Sequence, residues 1–301
     1  MRRLLAYIFL LSSSAFQLFA YDVEVDGICY ELFGKSSAYV THRGTNGKFE
    51  PGGYAGDIVV PEQIQHGGNT YKVIAIGPSA FADCPELTSV RLSSTVRGIS
   101  ACAFLGCPKL RQVICSGPVS GIAACAFAGC TALQQVTLPR HAEFVDTLAL
   151  YCCATLSTVV LPHRIRTVCH GALQHLPQMT DLYVFASLPP RAEQGSFTLS
   201  DQKQCVLHVP AEAIALYQES PVWREFCQFV PLTDEDYMQQ GYQRGDINDD
   251  GRVDADDLNM LRRLIVRLPE SAAVRWAADI NGDGKVNGAD YVLLAQKLSA
   301  V

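Results

Sequence analysis

Apolar residues recur every 23 positions through the middle of the chain, between residues 73 and 188. Two of these columns lie two residues apart: Val90, Val113, Val136, Val159 and Leu182, and then Leu92, Cys115, Leu138, Leu161 and Val184. Apolar residues separated by one position place their side chains on the same face of a strand. The spacing therefore predicts one short strand in each 23-residue unit.

A second group of apolar residues in each unit has the spacing of a helical turn. One copy consists of Ala103, Phe104, Cys107 and Leu110, and equivalent residues recur in the other copies. A single unit cannot bury its own apolar face, so the copies must stack along a common core. We predict an α+β repeat solenoid whose units run strand, turn, short helical segment, with a cap at each end.

Four of the twelve cysteines occupy one apolar column, namely Cys84, Cys107, Cys130 and Cys153. We expect these to pack as small buried hydrophobic side chains. The sequence contains neither a C-x2-C pair nor a His/Cys set with zinc-finger spacing. In an exported chain, a disulfide between Cys102 and Cys125, which lie one repeat apart, is an alternative to free thiols. Sequence alone does not decide between them, because it does not fix connectivity.

The first twenty residues have the features of a secretory signal peptide. Arg2 and Arg3 form a basic start, an apolar run covers residues 4–11, and Ala20 suits cleavage before Tyr21. A membrane anchor is the alternative, but Ser residues and Gln17 interrupt the run, and a span needs about 20 apolar residues. Cleavage leaves 22 basic and 30 acidic residues, a net charge of −8. We therefore expect a secreted or cell-surface-associated protein without an integral membrane span, and nucleic acid is a poor partner for it.

The repeat units resemble the BspA-like leucine-rich repeat family, whose pattern is I-x-x-x-A-F-x-x-C-x-x-L-x-x-V-x-L/I-P. The segments that carry the resemblance are IGPSAFADCPELTSVRL, ISACAFLGCPKLRQVIC and IAACAFAGCTALQQVTLP. Residues 21–57 are similar to the family's N-terminal β cap, and residues 58–232 to its repeats with a closing segment, CVLHVPAEAIALYQESPVWREF. The resemblance implies a bacterial surface or secreted protein used for adhesion or partner binding.

The period ends after Val230, and residues 233–244 read as a polar linker. Two twelve-residue loops follow: loop one is DINDDGRVDADD at 246–257, and loop two is DINGDGKVNGAD at 279–290. Calcium takes oxygen ligands from positions 1, 3, 5, 7, 9 and 12 of such a loop, with Gly at position 6. The candidate ligands are Asp246, Asn248, Asp250, the carbonyl of Arg252, Asp254 and Asp257, and then Asp279, Asn281, Asp283, the carbonyl of Lys285, Asn287 and Asp290. We predict two bound Ca2+ ions; the alternative is a pair of ordinary Asp/Asn/Gly turns.

The two loops differ in charge. Loop one has six acidic residues and one Arg, a net charge of −5, whereas loop two has three acidic residues and one Lys, a net charge of −2. Because a more negative loop attracts a divalent cation more strongly, we hypothesise that loop one fills first.

Residues 245–301 resemble a type I dockerin more than an ordinary EF-hand. Position 12 is Asp in both loops, the stretch before loop one is too short for an entering helix, and a helix is predicted after each loop. The first of these helices has an apolar stripe formed by Leu258, Leu261, Ile265 and Leu268. The resemblance implies a small all-α module that binds a cohesin-like receptor.

The recognition positions of this module depart from the family's pattern. The family's recognition positions are often Ser or Thr but are here Ala255, Asp256, Gly288 and Ala289. We name Arg262, Arg263 and Arg267 as the candidate partner-binding residues on the first helix. The alternative is a basic face that is merely solvated.

On the repeats, the residues between the inward strand positions face outward along the sheet: Arg91, Ile114, Thr137, Val160 and Tyr183. Repeat solenoids commonly bind partners on such a continuous face, and this mixture suits a protein or glycan ligand. The alternative is a set of unrelated surface residues.

No catalytic motif accompanies these features, and the seven histidines are scattered. We therefore expect a non-enzymatic adhesion or binding protein that attaches to a partner through its calcium module. Two alternatives stay open: a free secreted repeat protein whose calcium module is only a structural cap, and a component of polysaccharide degradation.

Overall fold

The computed structural model describes residues 21–44, 53–267 and 271–300. The predicted signal peptide, residues 1–20, lies outside the described residues, as do residues 45–52 of the predicted N-terminal cap and Leu268 of the predicted helical stripe.

Short strands recur along the chain from residue 23 to residue 231. In chain order the strands of the described residues are β1 (Val23–Val25), β2 (Ile28–Phe33), β3 (Ser37–Thr41), β4 (Ala55–Val60), β5 (Gln63–His66), β6 (Asn69–Ile76), β7 (Glu86–Leu92), β8 (Gly98–Ile99), β9 (Gln112–Cys115), β10 (Gly121–Ile122), β11 (Gln135–Thr137), β12 (Phe144–Val145), β13 (Thr158–Leu161), β14 (Thr167–Val168), β15 (Asp181–Val184), β16 (Arg191–Ala192), β17 (Val206–Val209) and β18 (Gln228–Pro231).

These strands form a solenoid in which each turn contributes to two walls. The back wall is one sheet with the order β1-β2-β3-β6-β8-β10-β12-β14-β16, and β5 pairs with β6. The front wall consists of a three-stranded sheet, β4-β7-β9, and a five-stranded sheet, β11-β13-β15-β17-β18. Val136 pairs with Val159, and Val159 pairs with Leu182, in parallel register. The 23-residue period is therefore one turn of the solenoid, which confirms the predicted fold class.

The segment predicted as a short helix in each repeat is instead a pair of consecutive turns. The N–H of Ala103 donates to the carbonyl of Ser100 at 3.2 Å, and that of Leu105 donates to the carbonyl of Cys102 at 3.0 Å. Cys102 and Gly106 have φ of 58° and 69°, and left-handed residues at this spacing stop a helix from propagating. The N–H of Phe104 donates instead to the carbonyl of Ala126 on the next turn, at 2.7 Å.

Between the two walls lies one continuous apolar core. The rings of Phe81, Phe104 and Phe127 stack along it with centroid distances of 5.2 and 5.1 Å. The thiols of Cys107 and Cys130 donate to the carbonyls of Phe81 and Phe104 at 2.9 and 3.1 Å. The predicted burial of this cysteine column is therefore confirmed. Cys102 and Cys125 are free thiols in a smaller buried cluster.

The repeat pattern changes at the closing end. Leu161 pairs with Val184, 23 residues later, but Val168 pairs with Ala192, 24 residues later. This extra residue shifts the apolar column, and Leu188, which continues it by count, is 64% exposed. Beyond this point come α1 (Leu199–Gln204), a 3-10 turn (Ala211–Ala213), α2 (Ile214–Glu219) and a second 3-10 turn (Trp223–Glu225).

The closing segment seals the core with large aromatic side chains. Trp223 is fully buried and donates its indole N–H to the carbonyl of Pro190 at 2.7 Å. Tyr217 is fully buried as well and donates to the carbonyl of Ala186 at 3.0 Å.

The remaining helices form a small module after the solenoid. They are α3 (Asp234–Gln239), α4 (Ala255–Leu264), α5 (Ala272–Ala278) and α6 (Gly288–Ser299). The core shared by α4, α5 and α6 contains Ile247, Leu261, Ala278 and Leu294, with Leu258 and Ile265 packed against it. The described part of the predicted apolar stripe therefore faces this core.

Candidate metal centre and binding face

The hydrogen bonds of loop one wrap its backbone around its acidic side chains. The carboxylate of Asp246, at position 1, accepts the N–H groups of Asp250 and Gly251, each at 3.0 Å. Gly251, at position 6, has φ of 86°, a conformation in which Gly is strongly favoured. The carboxylate of Asp250 in turn accepts the N–H of Arg252 at 2.8 Å.

Asp257, at position 12, ties the two ends of loop one together. One of its oxygens accepts the N–H groups of Ile247 and Asn248 at 2.7 and 3.1 Å, and the other accepts the N–H of Asp254 at 2.9 Å. Asp254 itself caps α4 by accepting the N–H of Asp256 at 2.9 Å. Position 12 thus closes the loop and starts the helix that follows it.

Loop two repeats this arrangement almost bond for bond. Asp279 accepts the N–H groups of Asp283 and Gly284 at 3.0 and 2.9 Å. Asp290 accepts those of Ile280 and Asn287 at 2.8 and 2.9 Å. The two loops are therefore one structural unit used twice.

The chemistry of the loops fits calcium. Every candidate ligand offers a hard oxygen atom, the donor that Ca2+ prefers. Asp257 and Asp290 are fully buried, and Asp246 is nearly so. Burial raises the pKa of Asp246, against the hydrogen bonds from Gly251 and Asp250 that lower it. Among the described residues no three His, Cys, Asp or Glu side chains gather closely enough to hold a metal alone, so amide and carbonyl oxygens would have to complete each site.

The candidate partner residues of the module are exposed. Arg262 and Arg263 lie in the last turn of α4, and Arg267 follows shortly after it. Val266, between them, is 89% exposed. This short stretch, residues 262–267, therefore combines three exposed cationic side chains with one exposed apolar side chain.

The opposite side of the module covers part of the front wall. Phe185 is fully buried beneath the rings of Tyr237 and Tyr242, at centroid distances of 5.1 and 5.3 Å. Val160 belongs to the same cluster and is 3% exposed, and Ala273 of α5 completes it. The expectation that Val160 is an exposed front position is therefore wrong, because the module occupies that surface. Tyr183 packs at the edge of the cluster and stacks on His208 at 4.1 Å.

Polar contacts surround this apolar cluster. The Tyr242 hydroxyl lies 3.0 Å from Nδ1 of His163, whose backbone N–H also donates to it at 3.3 Å. Arg275 pairs with Glu212 at 2.5 Å, and the N–H of Ala272 donates to the Ser187 hydroxyl. The module thus contacts the repeats at several separated points.

Residues 233–244, expected to be a linker, form an ordered bridge. Thr233 caps α3 through a capping box with Asp236. Asp234 pairs with Arg244 at 3.1 Å and accepts the indole N–H of Trp276 at 2.7 Å. The same Arg244 guanidinium lies 4.7 Å from the centre of the Trp276 ring. The segment is therefore held between the repeats and the module.

The free part of the front wall forms an open groove. Arg91 and Thr137 are exposed and Ile114 is half-buried. Among the described residues no backbone hydrogen bond joins β9 to β11, so the front wall divides there. The groove at this division has a volume of about 970 Å³, and its lining includes Arg111, Gln112, Gln134, Gln135, Thr137 and Gln240. None of the residues that line it is acidic.

Sequence reasoning missed two residues that place the module, Arg140 and Tyr242. Arg140 pairs with Asp249 across 109 positions of the chain. No local motif encodes such a contact, so the sequence carries no signal for it.

The chain combines a solenoid of 23-residue turns with a helical module built on two matching, oxygen-rich loops. Residues 69–188 match the BspA type leucine rich repeat region in six copies, and residues 244–299 match the dockerin type I domain. The resemblance predicted from the sequence is therefore confirmed for these residues. Such repeats and dockerins are typically binding modules of extracellular or surface proteins, and a type I dockerin binds calcium and implies a cohesin-type partner.

Several solved structures are similar to parts of the chain. The pneumococcal vaccine antigen PcpA is 17% identical over 64% of this chain and 50% of its own, with a TM-score of 0.48. A leucine-rich repeat protein from Bacteroides ovatus is 18% identical over 70% and 67%, with a TM-score of 0.36. A leucine rich repeat protein from T. pallidum is 22% identical over 54% and 84%, with a TM-score of 0.41. This chain spans half the length of the pneumococcal antigen, and no curated protein matches it.

Within the described residues, none of the helices has the length and apolar character needed to cross a membrane.

Proposed function

We propose that this is an exported binding protein whose repeats hold a ligand and whose module attaches it, with two bound Ca2+ ions, to a cohesin-type receptor. The observation that carries the proposal is the pair of matching loops, each folded by the same hydrogen bonds around an oxygen-rich centre. Loop one would bind calcium through Asp246, Asn248, Asp250, the Arg252 carbonyl, Asp254 and Asp257. Loop two would use Asp279, Asn281, Asp283, the Lys285 carbonyl, Asn287 and Asp290.

The exposed stretch at residues 262–267 supports the receptor contact. An exposed valine among arginines resembles the apolar and Arg-rich centres of protein interfaces, and none of these residues belongs to the cluster buried against the repeats. The test is capture of envelope proteins by the full mature chain, with calcium and with a chelator. We expect calcium-dependent capture of one receptor, lost in R262E/R263E and kept in R97E, an exposed arginine on the repeats. Equal capture with a chelator would contradict the proposal.

A second candidate function has its own observation. The module buries Val160 and Phe185, as a structural cap of the front wall would. In that case calcium stabilises the chain and no receptor exists. Calcium-dependent folding of the full chain, with no receptor captured from the envelope, would favour this cap.

For the repeats, the groove between β9 and β11 supports a glycan ligand. Its amides and hydroxyls both donate and accept hydrogen bonds, as a hydroxylated ligand requires, and it lacks the aromatic anchors of a protein hot spot. Titration calorimetry with neutral and uronic-acid oligosaccharides tests this. We expect Q112A/Q135A to weaken binding and R97Q to leave it unchanged; equal binding by both variants would contradict the site.

We also propose that the chain is not an enzyme. The closest approach to a catalytic set is His208, 2.8 Å from Asp181, and the ring of Tyr183 stacks on that His. No hydroxyl or thiol in the described residues forms a hydrogen bond with His208, so the pair lacks a nucleophile. Release of reducing sugars from plant or host polysaccharides by the purified chain would contradict this.

A further inference from the structure

One arginine of the repeats reaches into loop one of the module. The Nη1 atom of Arg140 lies 2.5 Å from Oδ1 of Asp249 and 3.7 Å from Oδ2 of Asp246. The two carboxylates are 7% and 1% exposed, and the second oxygen of Asp249 is buried without a hydrogen-bond partner among the described residues. Part of the negative charge of loop one is thus balanced from the other domain.

Loop two has a corresponding arginine, but from within the module. Arg244 lies 3.4 Å from Oδ2 of Asp279 and donates to the carbonyls of Trp276 and Asp279. Asp246 and Asp279 both stand at position 1, so each loop has one guanidinium beside the same candidate ligand. Of the two arginines, only Arg140 belongs to the repeats, so only its contact with loop one requires the module to pack against them.

We propose that Arg140 couples calcium binding at loop one to the contact between the module and the repeats, and that Arg140 and calcium oppose each other. A cation next to a ligand oxygen repels a second cation at that site, and low solvent exposure limits the screening of this repulsion. The guanidinium also neutralises Asp249, which stands at position 4 and is not a candidate ligand. This inference rests on the proposed calcium binding and adds a residue outside the loops that sets its strength.

Thermodynamic linkage makes the effect reciprocal. If Arg140 weakens calcium binding at loop one, then calcium at loop one weakens the hold of Arg140 by the same factor. The apolar cluster around Phe185 carries no charge, and Arg140 contacts it through Tyr242, with the guanidinium carbon 5.6 Å from the centre of that ring. Loading of loop one therefore loosens one edge of the contact, the edge beside the open groove that Arg140 also lines.

The test is calcium titration calorimetry on the full chain, one loop at a time. D283A removes an exposed loop-two ligand and leaves loop one to be measured; D250A leaves loop two. In the D283A background we expect R140Q to tighten calcium binding by about fivefold to tenfold. In the D250A background R140Q should change nothing. The matched control is R166Q, because Arg166 is 77% exposed and its nearest carboxylate, Glu143, is 3.9 Å away.

A second readout needs no calcium. In chelator, R140Q should raise hydrogen exchange in residues 246–257, since the docked loop loses its ion pair, while R166Q should not. Unchanged or weaker calcium binding at loop one in R140Q would overturn the coupling. Absence of any calcium binding in the wild type would instead overturn the proposed function, so the two failures are distinguishable.

Discussion

The repeats and the calcium module bury different kinds of side chain. In the repeats the buried positions are almost entirely apolar, as in the Phe81, Phe104 and Phe127 stack. In the module two of the most buried residues are carboxylates, Asp257 and Asp290. Burying a carboxylate is costly unless hydrogen bonds or an opposite charge compensate it. The repeats can therefore hold their fold by apolar packing, whereas the module depends on the hydrogen bonds and opposite charges that compensate its buried carboxylates.

The largest expected effect is in the repeat core. Phe104 is fully buried between two other rings, so F104A should lower the free energy of unfolding by about 3–5 kcal/mol. Urea unfolding followed by circular dichroism measures this, with and without chelator. The control is V59A, at a position 63% exposed, where a change within about 0.5 kcal/mol is expected. If the free energy of unfolding lost in F104A differed with and without chelator, the repeat core would not be independent of calcium.

Removal of calcium should destabilise the module rather than the repeat core. With free calcium at 100 times the dissociation constant, chelation should cost the module about 2.7 kcal/mol for each bound ion. Hydrogen exchange followed by mass spectrometry resolves the two regions in the full chain. Exchange should rise in residues 246–267 and 271–299 and stay constant in residues 80–130, which include neither Arg140 nor Val160. An equal rise in both regions would mean that the repeats also depend on the ion.

A smaller effect is expected at the contact between the two regions. Y242F removes the hydroxyl that contacts His163 and leaves buried polar groups without a partner, at a cost of about 1–2 kcal/mol. Y39F, in the N-terminal cap, is the control. The readout is hydrogen exchange of residues 234–244, which should rise in Y242F. No change there would show that the hydroxyl contributes nothing to the docking.

The contact between the module and the repeats should also depend on pH, through His163. Burial, together with the nearby charges of Arg164 and Arg140, lowers the pKa of His163 to about 4. The docked state therefore favours neutral His163. The stability that the neutral imidazole contributes is complete above about pH 6.5 and is lost as the pH falls toward 4. Unfolding of the wild type and H163Q between pH 7 and pH 4 should show a smaller decline in the variant. H66Q, at an exposed position, should lose as much stability as the wild type over this range. An equal loss in H163Q would contradict the assignment of the pH dependence to His163.

The sequence predicted the features that repeat and missed those that join distant parts. The 23-residue columns predict strand positions such as Val136 and Val159, because each turn packs on an equivalent neighbour. The helical spacing around Phe104 was misleading, since left-handed residues at Cys102 and Gly106 turn the chain instead.

The two loops were recognisable because the ligands of a calcium ion are spaced locally along the chain. In contrast, the burial of Val160 and the reach of Arg140 depend on how the module sits on the front wall. That arrangement leaves no periodic trace in the sequence.

The most direct test of the central claim is the calcium stoichiometry of the full mature chain by titration calorimetry. The account predicts two ions per chain, with one lost in D250A and the other lost in D283A. A wild-type chain that takes up no calcium, or that keeps both ions in these variants, would contradict it.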